Sequence, residues 1–196
     1  MNSPLVSVII PSFNRLDYLL RSIESVFNQT YSKTEVIVIN DGSTEDGYLE
    51  HKYIKDIKQI NLEQNQKIIN GFGPGNIRNF GINKASGDWI AFLDDDDLWL
   101  KDKLEIQLNR LNGTGLKMSS TDALVGNGIY DKQIEYESFL NDYYYKKIKK
   151  SVFRNYFIYR FKKLIYPDRF TKEFISTVNP IITSSVLLDT DLVKQL

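Results

Sequence analysis

Four consecutive carboxylates, Asp94-Asp95-Asp96-Asp97, are the residues of this chain best suited to do chemistry. Side by side they repel one another, by roughly 1 kcal/mol for each close exposed pair. A cation would offset that repulsion. Mg²⁺ and Mn²⁺ take hard oxygen ligands and often leave one face open to phosphate. The plainer reading is a solvated loop that also caps a helix starting near Leu98, because Asp is favoured at helix starts. A cap uses one Asp, or two; four favour a metal.

Weaker signals accompany the acidic run. Asp41 lies in Asn40-Asp41-Gly42-Ser43, where turn chemistry alone accounts for Asp-Gly. Pro11-Ser12-Phe13-Asn14 reads equally as a strand exit or as a ligand rim where Phe13 stacks on a base. Gly73-Pro74-Gly75-Asn76-Ile77-Arg78-Asn79 sets a glycine loop, a helix start and a cation side by side, which favours phosphate. It is neither a dinucleotide fingerprint nor a Walker loop.

These residues need a scaffold, and the apolar pattern supplies one. Leu5–Ile10, Glu35–Asn40, Ile57–Leu62 and Asp88–Leu93 read as strands, the first two fully buried. Helices are expected at Tyr18–Phe27 with Asp17 as N-cap, from the mid-forties to the mid-fifties, at Asn76–Ala85 and at Lys101–Leu111. Leu116–Val125 and Asn179–Leu188 complete the strands, and a last helix starts at Asp189, with Asp189 and Asp191 as its N-terminal acids. Strand alternating with helix predicts an α/β domain with a mostly parallel sheet flanked by helices. Ligands bind at the carboxyl ends of such strands, so Asn14, Asp41 and Asp94 to Asp97 should meet on one rim.

Composition bounds the alternatives. The chain has 196 residues, 25 basic and 25 acidic, and a hydrophobic fraction of 42%, which suits one globular domain. Zero net charge argues against a nucleic-acid partner held by bulk charge. The absence of Cys excludes disulfides and thiolate chemistry, and a single His, His51, excludes a multi-His metal site. We expect His51 on a solvent-exposed helix. No run spans a bilayer and no signal peptide is legible, so a cytoplasmic location is expected. The sequons at Asn28 and Asn112 carry no meaning without a secretory signal.

Taken together, VSVIIPSFNR, VIVINDGSTED and the glycine loop leading to IRNFGINKASGDWIAFLDDDDLW resemble family 2 glycosyltransferases in order and spacing. The resemblance covers about residues 4–111 and resumes at 179–196; the segment between is expected to be particular to this chain. It implies a GT-A fold, a nucleotide-diphospho-sugar donor, commonly UDP-linked, and Mg²⁺ or Mn²⁺. Pro11, Phe13 and Asn14 would line the nucleotide pocket, Asp41 would bind the base, and Arg78 would border the phosphates. Asp94 and Asp96 match the D-x-D pair for ribose and metal; the fourfold run leaves Asp95 open for the ribose role. The resemblance further implies inversion at the sugar carbon and a saccharide or lipid-linked saccharide acceptor in cell-surface polysaccharide or glycolipid synthesis. The family's base, a carboxylate in a Glu-Asp or Asp-Asp motif, is expected beyond Leu196, so the chain is expected to be truncated before it.

As one domain, the chain divides into a nucleotide-sugar half at 1–125, a helical basic and aromatic insertion at 130–170, and the start of an acceptor half at 175–196. Residues 143–167 carry eight Lys and Arg and no acid, with Phe and Tyr interleaved. Such a helix packs its aromatics on the sheet, or docks on the inner face of an anionic membrane. Two alternatives to a transferase stay open: a sugar-phosphate nucleotidyltransferase, against which the lack of a Lys-bearing glycine loop counts, and a non-catalytic nucleotide-sugar-binding or membrane-docking fragment.

Overall fold

Alternation along the first two strands dictates a sheet covered on both faces. In β1 (Val6–Ser12), Val6, Val8 and Ile10 point to one face and Ile9 to the other. In β2 (Thr34–Asn40), Val36 and Val38 share the first face, and Ile37 and Ile39 the second. All these side chains are buried. The computed structural model describes residues 3–48, 57–71, 73–128, 130–140, 158–160, 163–165 and 180–195. These form two compact units, 1–121 with 183–196, and 122–182.

The first unit holds a six-stranded sheet in the order β3-β2-β1-β4-β10-β5. β3 (Lys58–Asn61), β2, β1 and β4 (Trp89–Phe92) run parallel. β10 (Leu187–Asp189) is antiparallel to both β4 and β5 (Met118–Ser119). From β1 the chain builds outward through β2 and β3, then crosses back to place β4 on the other side. The strand order therefore reverses between β1 and β4, where open α/β sheets bind ligands.

Helices cover both faces. α1 (Leu16–Phe27) buries Leu19, Ile23 and Val26 against the Val6–Val8–Ile10 face, joined by Leu104 and Leu111 of α4 (Lys103–Leu111). A short α2 (Gln66–Asn70) precedes α3 (Pro74–Lys84), which lays Ile77 on the opposite face, with Ala85 beyond its end. Gly81 lets α3 approach closely: a Cβ there would lie 2.6 Å from Ile9 Cγ2. α5 (Thr190–Lys194) starts at Asp189, whose carboxylate caps it by accepting from Leu192 N–H at 2.9 Å.

Several expectations need correction. α1 is not capped by Asp17: Arg15 occupies the cap position, and Glu45 accepts from the Leu16 N–H at 2.9 Å. α3 begins at Pro74, where proline's fixed φ suits a first turn, and α2 was not foreseen. Leu116–Val125 is not one strand. Met118–Ser119 joins the main sheet, while β6 (Leu124–Val125) pairs with β7 (Glu137–Ser138) in the second unit. Asn179–Leu188 is broken by a 3₁₀ turn at Thr183–Ser185. Of the stretch expected to be helical, β8 (Ile158–Arg160) and β9 (Lys163–Ile165) form an antiparallel pair. The rest of 143–167, His51 and the helix placed around it from residue 49 lie outside the described residues. Among the described residues no helix is long and apolar enough to cross a membrane.

Candidate nucleotide and cation site

Each parallel strand delivers its polar exit residues to the same rim. β1 ends in Ser12 and leads to Arg15, β2 leads to Asp41, and β4 leads to Asp94–Asp97. They open on a cleft of about 420 Å³, lined among others by Pro11, Phe13, Asp41, Arg78, Asp94, Asp95 and Asp96. The expected rim is therefore formed by Asp41 and Asp94–Asp96, with two exceptions. Asp97 does not line the cleft and takes a hydrogen bond from Ser184 instead. Asn14 is not among the lining residues either. Its backbone is left-handed at φ 52°, and its Oδ1 accepts from the Thr44 and Glu45 N–H groups at 2.8 and 3.2 Å. An Asn tolerates that conformation, and here it ties the β1 exit to the β2 exit.

The acidic loop is fixed from beneath. Ser22, fully buried on α1, lies 2.8 Å from the Asp95 carbonyl and 2.7 Å from that of Asp97. Ser184 accepts from the Asp94 N–H at 3.0 Å, and Trp99 Nε1 donates to the Ser184 carbonyl at 2.8 Å. The run is no helix cap, since Leu98 to Asp102 separate it from α4. Its backbone is thus held by groups that leave the carboxylates to their own partners.

Those partners are two arginines and two serines. Asp94 pairs with Arg78. Asp95 is buried, accepts from Ser12 Oγ at 2.7 Å and lies 3.4 Å from Arg15 Nη1. Because Ser12 spends its proton on Asp95, the hydrogen bond it shares with Tyr48 is donated by the Tyr48 hydroxyl. Asp96, half exposed, meets Arg15 Nη1 at 2.8 Å. Burial pushes the Asp95 carboxyl above its usual range despite Ser12 and Arg15, and does the same to Asp97 against a hydrogen bond from Ser184.

On the β2 side Asp41 is buried, and burial raises its pKa. Its oxygens accept from Asn65 Nδ2 and the Gln66 N–H, each at 2.9 Å. Gly42, at φ +75°, permits this: a Cβ would sit 2.5 Å from the Gln64 backbone. Arg78 is anchored under the rim, 5.9 Å above the Phe92 ring, and its Nε–H has no partner among the described residues.

A divalent ion fits these groups in one way. Among the described residues no three acidic or His side chains are grouped to cage a metal. Asp96 and Asp94 offer hard carboxylate oxygens at an open cleft, which suits an ion that takes one or two carboxylates and completes its shell with phosphate and water. Sequence reasoning passed over Arg15, Ser22, Asn65 and Ser184. Arg15 stood inside a motif already quoted; nothing in the local sequence distinguishes the buried serines.

The family model described as glycosyl transferase family 2 matches residues 7–173. The match runs past residue 111, so the middle segment is not particular to this chain, while 179–196 lies outside it. An uncharacterized glycosyltransferase of Rickettsia bellii is 48% identical over 116 residues, which are 59% of this chain and 16% of that protein. The Escherichia coli UDP-Glc:alpha-D-GlcNAc-diphosphoundecaprenol beta-1,3-glucosyltransferase WfgD is 31% identical over 72% of this chain and 57% of its own length. The chain thus spans a minor part to about half of the relatives it matches. Staphylococcus aureus TarS 1–349, crystallised with UDP, superposes with a TM-score of 0.63 at 22% identity, covering 97% of this chain and 48% of TarS 1–349. That likeness gives the fold, a GT-A sheet flanked by helices. With a family match over most of its length, this chain belongs to glycosyl transferase family 2.

Proposed function

We infer that the chain carries the donor site of a transferase that moves a sugar from a nucleotide diphosphate, UDP-linked, to a saccharide or lipid-linked saccharide in surface polysaccharide or glycolipid synthesis. The observation that carries this reading is the meeting of Asp41, Phe13, Arg78 and Asp94–Asp96 on one cleft at the strand-order reversal. Phe13, 36% exposed at the rim, offers a face for a base, and Asp41 offers carboxylate oxygens beside it. We assign the ribose to Asp94 or Asp95, which line the same cleft. Arg78, which lines the same cleft, offers guanidinium N–H groups to phosphate oxygens.

In the reaction the acceptor oxygen forms a bond to the sugar's anomeric carbon as the bond to phosphate breaks, and the nucleoside diphosphate leaves with the electron pair. Attack from the opposite face inverts that carbon. The acceptor proton goes to a base that we assign to no described residue. Mg²⁺ or Mn²⁺, held through Asp96 with Asp94, would neutralise charge developing on the leaving diphosphate. The chain's own contribution is to hold the acidic loop rigid through Ser22, Ser184 and Trp99. The acid-free stretch 143–167 supports contact with an anionic membrane surface, where a lipid-linked acceptor would lie; binding to anionic liposomes at low salt tests it.

Calorimetry with UDP, GDP and dTDP, with and without Mn²⁺, tests the site. UDP should bind preferentially and only with metal, and Asp96→Ala should abolish binding. Binding indifferent to both metal and Asp96 would sink the reading.

A further inference from the structure

The two arginines that reach the acidic loop are held very differently. Arg78 and Asp94 have side chains only 11% and 34% exposed. Arg15 and Asp96 are 51% and 50% exposed. A pair half open to water contributes little and breaks readily, whereas a buried cation cannot leave its partner without losing its compensation. The loop therefore has one fixed internal cation and one loose one. The loose one sits on the carboxylate most open to the cleft, with Nη1 2.8 Å from Asp96 Oδ2 and 3.4 Å from Asp95 Oδ1. A divalent ion approaching Asp96 meets a guanidinium already there.

We propose that Arg15 is an internal counter-ion that holds Asp96 in the donor-free protein and yields it to the divalent cation. This rests on the reading of the acidic loop as a cation site given above. In the donor-free state Arg15 relieves the repulsion among the adjacent carboxylates and keeps the loop in its working shape. When the metal arrives, the released guanidinium stays in the same cleft, where a diphosphate can take it up. Metal and nucleotide then assist one another, because each gives Arg15 a reason to leave Asp96. Arg15 is a positioning residue here, acting through Asp96.

Mn²⁺ titration followed by electron paramagnetic resonance, without nucleotide, reads the exchange directly. Arg15→Gln should bind Mn²⁺ roughly five- to tenfold more tightly than wild type, since a competing charge is gone. Arg15→Ala removes the same charge by another route and should tighten binding alike, while Arg15→Lys should stay near wild type. Thermal melts confirm that each variant is folded. Equal affinities for Mn²⁺ in all forms, weaker binding in both neutral variants, or no binding in any form would overturn the proposal. A parallel UDP titration of the wild type with Mn²⁺ separates it from the donor-site reading. If UDP fails to bind while the neutral variants still tighten Mn²⁺, the donor reading falls and the exchange stands; metal-dependent UDP binding with unchanged Mn²⁺ affinity overturns the exchange alone.

Discussion

Glu35 and the acidic loop both set carboxylates against cations, at opposite ends of the same strands, with opposite results. At the start of β2, burial alone would raise the Glu35 pKa, yet hydrogen bonds from Lys58, Ser7 and Ser86 outweigh it and bring the group down to about 2. Ser7 Oγ donates at 2.5 Å and the Ser86 N–H at 2.7 Å. One carboxylate has a surplus of donors. At the carboxyl ends, Asp94, Asp95 and Asp96 share two arginines, Asp97 has a hydrogen bond from Ser184, and burial pushes Asp95 and Asp97 up. A surplus of donors marks an ion pair that staples the fold; a deficit marks a place prepared for charge from outside.

If that contrast holds, the two ends should respond oppositely to neutralisation. Asp96→Asn should weaken metal-dependent UDP binding at least about 100-fold, while Tm stays level or rises because a repelling charge is gone. Calorimetry beside thermal melts checks both. Glu35→Gln should do the reverse, costing about 2 kcal/mol after allowance for solvent screening and leaving UDP affinity unchanged. The folded-state pKa of Glu35 lies below its usual 4.5, so its stabilisation is present above that pH and fades as pH falls toward about 2. Acid titration of denaturant midpoints would read this, and a midpoint flat from pH 5 to 2 would break the contrast.

Lys103 sharpens the comparison from the other sign. It is buried 4.0 Å over the Trp99 ring with only Gln107 Oε1, at 2.8 Å, as a hydrogen-bond partner in the structure described, and burial lowers its pKa from 10.5 to about 7. The unfolded chain therefore binds a proton there that the folded one lacks above pH 7, so stability rises with pH above that point. Relative to Lys103→Met, wild type should gain about 2 kcal/mol between pH 6 and pH 9. A constant difference would show the ammonium to be solvated. The smallest effect belongs to Ser22→Ala, about 1 kcal/mol in stability, with a loss of UDP affinity because the loop is released. If Ser22→Ala costs stability but leaves affinity untouched, the serine supports the fold and not the site.

Much of the scaffold was legible because apolar periodicity is a local property. The strand pattern of β1, β2 and β4 and the apolar stripe of α1 can be read residue by residue, and the rule about strand ends then brings Asp41 and Asp94–Asp96 together, though not Asp97. Boundaries failed where a partner from elsewhere decides them. Glu45 caps α1 from across the chain, and the 3₁₀ turn at Thr183–Ser185 carries Ser184, which receives the Asp94 N–H and the Trp99 indole. Leu116–Val125 reads as one strand by composition, but its two ends pair in different sheets.

What the sequence determined by itself was the class of sheet, the rim, the acidic run and, through motif order, the family. Each of these rests on residue type and short-range spacing. Only the tertiary structure decided who neutralises whom. Arg15 could equally have faced solvent, Asn14 could have faced the cleft, and Ser22 could have been one more polar residue on a helix. Contacts across 70 or 80 residues are set by how the helices dock on the sheet, and that docking depends on packing no local pattern encodes. The arrangement of two arginines against the acidic run, one in a largely buried pair and one in a half-exposed pair, follows from that packing alone.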